Sequence, residues 1–165
     1  MFREKVLWTR DVNLVLDANK EGISALYLMF SQQNKCGRMS MADAKRLMSM
    51  TRVQLSEKDS QTCYALSLMT CQNIVKSGHL QIDHISLLEF YEMIGRCADV
   101  FQYEADKPLH EKINFVLDEW LALVGFERKE PQYYEAREFE IDDDYHAPIM
   151  KTTKVQRKQK TRKKN

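Results

Sequence analysis

The sequence predicts an all-α body. Apolar residues recur at helical spacing in five segments. Serine or proline stands at the head of several of them. Only 5 Gly and 3 Pro occur among 165 residues, which leaves little material for tight turns and favours long helices. At this length the chain can bury a core of its own.

Taken in order, the first residues, "MFREKVLWTR", alternate charged and apolar groups and contain no secretory h-region. Residues 1–18 are expected as an N-terminal extension. In "NKEGISALYLMFSQ", Ile23, Leu26, Tyr27 and Phe30 fall on one helical face. "SMADAKRLMSM" begins on Ser40, a residue suited to cap a helix, with Asp43 placed to complement its dipole. Ser56 repeats that start with Asp59 three residues on, a relative of the capping box, and its helix is expected to run through Tyr64, Leu68 and Cys71 to about Val75. Leu87, Phe90, Tyr91, Ile94 and Ala98 form the next stripe. The last helix, "PLHEKINFVLDEWLALVG", opens on Pro108 and stops before Gly125.

Formal charge is segregated along the chain although it nets to +1. A helical body over 19–125 leads into an acidic, aromatic segment over 126–150, which includes "DDDYH". Residues 151–165 read "KTTKVQRKQKTRKKN", with eight basic residues and no acid. That tail is expected to be disordered in isolation, because it repels itself and lacks apolar anchors. Lys151, Lys154, Arg157, Lys158, Lys160, Arg162, Lys163 and Lys164 suit a polyanion such as tubulin's acidic surface, nucleic acid or an anionic membrane. "RKQKTRKK" also fits a nuclear localisation signal. Cys36, Cys63, Cys71 and Cys97 show no CxxC spacing and are expected to be reduced, buried thiols. No apolar run approaches the roughly 18–20 residues of a membrane span.

Two segments repeat one pattern. "CGRMSMADAKRLM" places Met39, Met41, Asp43, Leu47 and Met48 after Gly37, and "DHISLLEFYEMI" places Ile85, Leu87, Glu89, Met93 and Ile94 at the same offsets after Asp83. This repeat resembles a pair of EF-hand units. The resemblance implies paired helix–loop–helix units, to which the chain adds the extra C-terminal helix and the extended basic tail. It puts Met39 and Ile85 at the loop position that forms a short β-bridge between hands, and Asp43 and Glu89 at the final acidic position. Calcium requires six to eight oxygens, mostly from acids early in the loop. The corresponding residues are Gln32, Asn34 and Cys36 in the first unit and Gly78, Leu80 and Ile82 in the second, with Asp83 where the family needs glycine. Measured from Phe30, the first loop has one residue too many. Neither loop is expected to bind calcium, and no cofactor is expected. Glu89, Phe90, Glu92, Arg96, Ala98 and Asp99, followed by Pro108 and Leu109, resemble degenerate EF-hand modules of ciliary and flagellar axonemal proteins. That resemblance implies a structural component such as a radial spoke.

The chain contains no GxxxxGK[ST], GxGxxG or HExxH. Glu89 and Glu92 share a helix face and are expected simply to solvate it. A non-enzymatic adaptor is therefore expected, in the cytoplasm and cytoskeleton of a cilium or flagellum, with other cytoskeletal proteins as partners and no small-molecule substrate. Met39, Met41, Met48, Met50 and Met69 suggest a groove gripping a partner helix, with core filling as the competing role. A calmodulin-like calcium-responsive subunit and a nuclear or nucleic-acid adaptor acting through the tail are the alternatives.

Overall fold

A computed structural model describes residues 2–68, 83–101 and 106–133. Among the described residues, six α-helices carry the architecture: α1 (Arg10–Ala18), α2 (Lys20–Ser31), α3 (Met41–Ser49), α4 (Glu57–Ser67), α5 (Leu87–Val100) and α6 (Leu109–Leu121). A π-helical turn over Arg3–Leu7 precedes them and a 3-10 turn over Ala122–Val124 follows. The predicted all-α class is what forms, with one isolated β-bridge among the described residues.

Helix starts follow the sequence closely. Ser40 caps α3 and Ser56 caps α4, each accepting a hydrogen bond from the backbone N–H of the acid three residues on. Such a cap is worth about 1 kcal/mol. The helix expected to reach Val75 differs: α4 closes at Ser67, where Leu68 turns extended (ψ 127°). The remainder of that expected helix lies outside the described residues.

Helix α5 occupies the middle of the body, packed against α4, α6 and α2, while α1 lies on α6. Phe90 sits between Tyr27 of α2 and Trp120 of α6, at centroid distances of 5.7 and 6.2 Å. The expected stripe on α5 is correct in direction, but the buried face also takes in Met93 and Cys97. From α6, Ile113, Val116, Leu117 and Trp120 are all buried, the i, i+3, i+4, i+7 pattern of a helix laid into an apolar cleft.

Residues 1–18 do not form the expected extension. Leu7, Val12, Val15 and Leu16 belong to the same core cluster as the later helices, and the compact unit runs to Tyr133. The run Val12, Val15, Leu16 already has helical spacing, so α1 was legible in the sequence. The start of the acidic segment is also tied to the body. Asn19, buried at the α1–α2 junction, accepts from the Lys129 N–H (2.7 Å) and donates to the Lys129 carbonyl (3.0 Å). Its amide therefore treats residue 129 as a neighbouring strand would. Arg128 pairs with Asp118 at 2.7 Å. Residues 126–133 are in neither helix nor strand, and the rest of the acidic segment lies outside the described residues.

Candidate functional site

The loop after α2 and the loop before α5 meet through one antiparallel bridge. Met39 N–H donates to the Ile85 carbonyl (3.1 Å), and Ile85 N–H donates to the Met39 carbonyl (2.9 Å). Both side chains are fully buried. A two-residue bridge is too short to be stable on its own, and two tyrosines support it. The Tyr64 hydroxyl of α4 lies 2.9 Å from the Met39 carbonyl and 2.7 Å from that of Asp83. The Tyr27 hydroxyl of α2 lies 3.1 Å from the Ile85 carbonyl. Burial raises both phenol pKa values, so the hydroxyls stay protonated and keep donating.

Each loop then enters its helix through a reciprocal capping box. Ser86 accepts from Glu89 N–H, while the Glu89 carboxylate accepts from Ser86 N–H at 2.6 Å and from its hydroxyl at 2.8 Å. Ser40 and Asp43 make the same exchange at the start of α3. Both acids are thus committed to their own helix termini. Burial pushes the Asp43 carboxyl up, but hydrogen bonds from Ser40 and Asn34 outweigh it and hold the carboxyl below the usual aspartate range.

Asn34 decides how the first loop closes. One side-chain amide proton goes to the Arg38 carbonyl (2.8 Å) and the other to the Asp43 carboxylate (2.7 Å). An NH2 group thereby satisfies two oxygens that converge across the loop. Gln32 is the exposed C-cap of α2 and Cys36 is half-buried with its thiol 4.0 Å from the Arg38 carbonyl. Gly37 takes φ +63°, a conformation that favours glycine. In the second loop Asp83 is exposed and contributes its backbone carbonyl to Tyr64. Gly78, Leu80 and Ile82 lie outside the described residues.

The methionines do not gather into one stripe. Met39 is in the core at the bridge, Met48 is in the core on the buried face of α3, and Met41 is half-buried against it. Met50 is 49% exposed, and Met69 lies outside the described residues, as do residues 151–165 with the eight basic side chains. Near Met48 an open groove of about 430 Å³ is lined by Lys45, Ser49, Gln54, Leu55, Glu57 and Ser60.

No family model, curated protein or solved structure matches the chain.

The expectation that Glu89 and Glu92 solvate an exposed face is wrong. Glu89 is 5% exposed and Glu92 is fully buried. Glu92 accepts from Arg3 Nε at 2.8 Å and from Arg96 Nη2 at 2.6 Å. A buried carboxylate persists only with such partners. Arg96 in turn stacks on Phe2, 4.6 Å from its centroid. The i, i+4 spacing of Glu92 and Arg96 was readable in the sequence. Arg3, 89 residues away from Glu92, was not.

Proposed function

We propose that this chain is a non-enzymatic structural adaptor of a cytoskeletal assembly, in a ciliary or flagellar axoneme, built on a calcium-independent pair of EF-hand-like units. The observation that carries this reading is the Asn34 amide bridging the Arg38 carbonyl and the Asp43 carboxylate. In an EF-hand loop a backbone carbonyl and a final carboxylate converge on the ion; here an amide donor takes the cation's role. The Met39–Ile85 bridge and the two capping boxes support the same kinship. The axonemal assignment rests on the sequence resemblance along α5 and α6.

The apolar cleft of such a pair is filled by the chain's own α6, with Trp120 against Phe90. Partners therefore engage other surfaces, and the basic tail is the proposed contact to the acidic surface of a microtubule.

Co-sedimentation of the full chain with microtubules, in chelator and in millimolar calcium, tests the reading. Binding is expected to be equal in both conditions, to fall with salt, and to weaken when residues 151–165 are removed. Calcium-dependent binding overturns calcium independence. Full binding by the truncated chain overturns the role of the tail.

A further inference from the structure

We propose that residues 2–7 form an exchangeable arm, and that their seat on α5 accepts the same arm from a second copy of this chain, giving a reciprocal dimer. The seat reads side chains along one turn of α5. Fully buried Glu92 receives Arg3 Nε through both carboxylate oxygens at 2.8 Å. Arg96 stacks its guanidinium on the ring of Phe2. Gly95 leaves the notch that Leu7 fills, because a Cβ there would run into Leu7 Cδ1, and Leu7 is fully buried. From α4, the Leu66 carbonyl accepts from Arg3 Nη2 at 3.4 Å. A ring, a guanidinium and a leucine are thus recognised together, and none of these contacts requires arm and seat to belong to one chain.

The arm is joined to its seat by side chains. Among the described residues no backbone hydrogen bond ties residues 2–7 to α4 or α5, and the Trp8 N–H turns back to the Arg3 carbonyl within the same segment. A π-helical turn this short does not hold its shape alone in water, so the seat is what orders it. Between the arm and α1 stand Trp8 (φ −90°, ψ 48°) and Thr9 (φ −87°, ψ 160°), neither of them helical. A change of direction at these two residues moves the arm as a unit. An outside peptide would have to outcompete the tethered arm and leave its side chains without a seat. Reciprocal exchange between two copies restores every arm–seat contact, so it costs only the association itself. The second copy is therefore the favoured occupant. Exchange also gives a role to the apolar side chains left in water around the arm. Val6, Trp8 and Leu66 are 37%, 38% and 53% exposed, and they belong to the arm, the hinge and the rim of the seat, where the two bodies would meet.

The test follows the mass of the full chain by sedimentation as its concentration rises, after a brief passage through moderate urea to open the arm. A short tether presents the arm to its own seat at an effective concentration on the order of millimolar, so dimer should become the main species as the chain approaches about that level. The deciding arm of the test mixes two variants. Arg3→Ala has a weakened arm and an intact seat, whereas Gly95→Ala has an intact arm and a closed notch. Neither can make a full arm–seat pair within its own chain, but together they can make one across chains. The mixture should therefore associate at a concentration roughly tenfold lower than either variant alone. A parent chain that stays monomeric up to about 1 mM overturns the proposal, and so does a mixture that associates no better than its components. Binding of a synthetic peptide of residues 1–9 by Arg3→Ala, with the parent monomeric throughout, overturns it in favour of an outside ligand for the seat. The concentration series on the parent decides the matter even where a variant fails to fold.

Discussion

The two ends of α5 are held by different means. Its first turn is fixed by a local capping box, a serine and a glutamate three residues apart, while the β-bridge and the Tyr64 hydroxyl hold the loop just ahead of it. Its second half is fixed from far away: Glu92 holds Arg3, Arg96 stacks on Phe2, and Leu7 lies over Gly95. Glu89 and Glu92 are both buried on one helix, yet one acid marks where the helix begins and the other ties down the start of the chain. Burial of a carboxylate thus has no single meaning; the reach of its partners decides what it stabilises.

The largest effect should come from the distant anchor. Glu92→Ala leaves Arg96, only 14% exposed, without its carboxylate. The variant should lose about 2–4 kcal/mol in urea unfolding, less than a wholly buried pair because Arg3 is 42% exposed. A loss below 1 kcal/mol would mean that the N-terminal segment contributes little to the body. Gly95→Ala comes next. A Cβ there would stand 2.2 Å from Leu7 Cδ1, so Leu7 must shift and about 1–3 kcal/mol should go. Exposure of Trp8 fluorescence to a quencher should rise with it. The smallest effect belongs to the local end. Tyr64→Phe removes one hydroxyl shared by two carbonyls and should cost about 1 kcal/mol, with faster amide exchange at Met39 and Ile85. If Tyr64→Phe proved more damaging than Glu92→Ala, the bridge rather than the N-terminal anchor would be the main hold on α5.

The same contrast separates what the sequence disclosed from what it concealed. Periodicity located α2, α3, α5 and α6, and Ser40 and Ser56 marked helix starts, because each of those signals lies within a few residues. The Met39–Ile85 bridge was anticipated through what the EF-hand resemblance of the repeat implies, not through spacing alone. What stayed hidden were the side-chain partnerships between distant segments. Glu92 with Arg3 and Asn19 with Lys129 join residues that no local pattern links. The Asn34 donor was visible only as a missing carboxylate; that its amide closes the loop required the positions of Arg38 and Asp43. The methionines left core and groove both open in the sequence, because a flexible apolar side chain suits either; Met39 and Met48 are in the core.

Helix α6 carries a consequence for any outside ligand of the α2–α5 cleft. Joined to the same chain, it competes at an effective concentration on the order of millimolar. Were α6 itself to bind the cleft with micromolar intrinsic affinity, a free peptide would appear about a thousandfold weaker than its own affinity. Only a partner that first draws α6 away, and accepts the exposure of Trp120 in doing so, could reach Phe90. The cleft behaves as a receptor delivered with its ligand already in place.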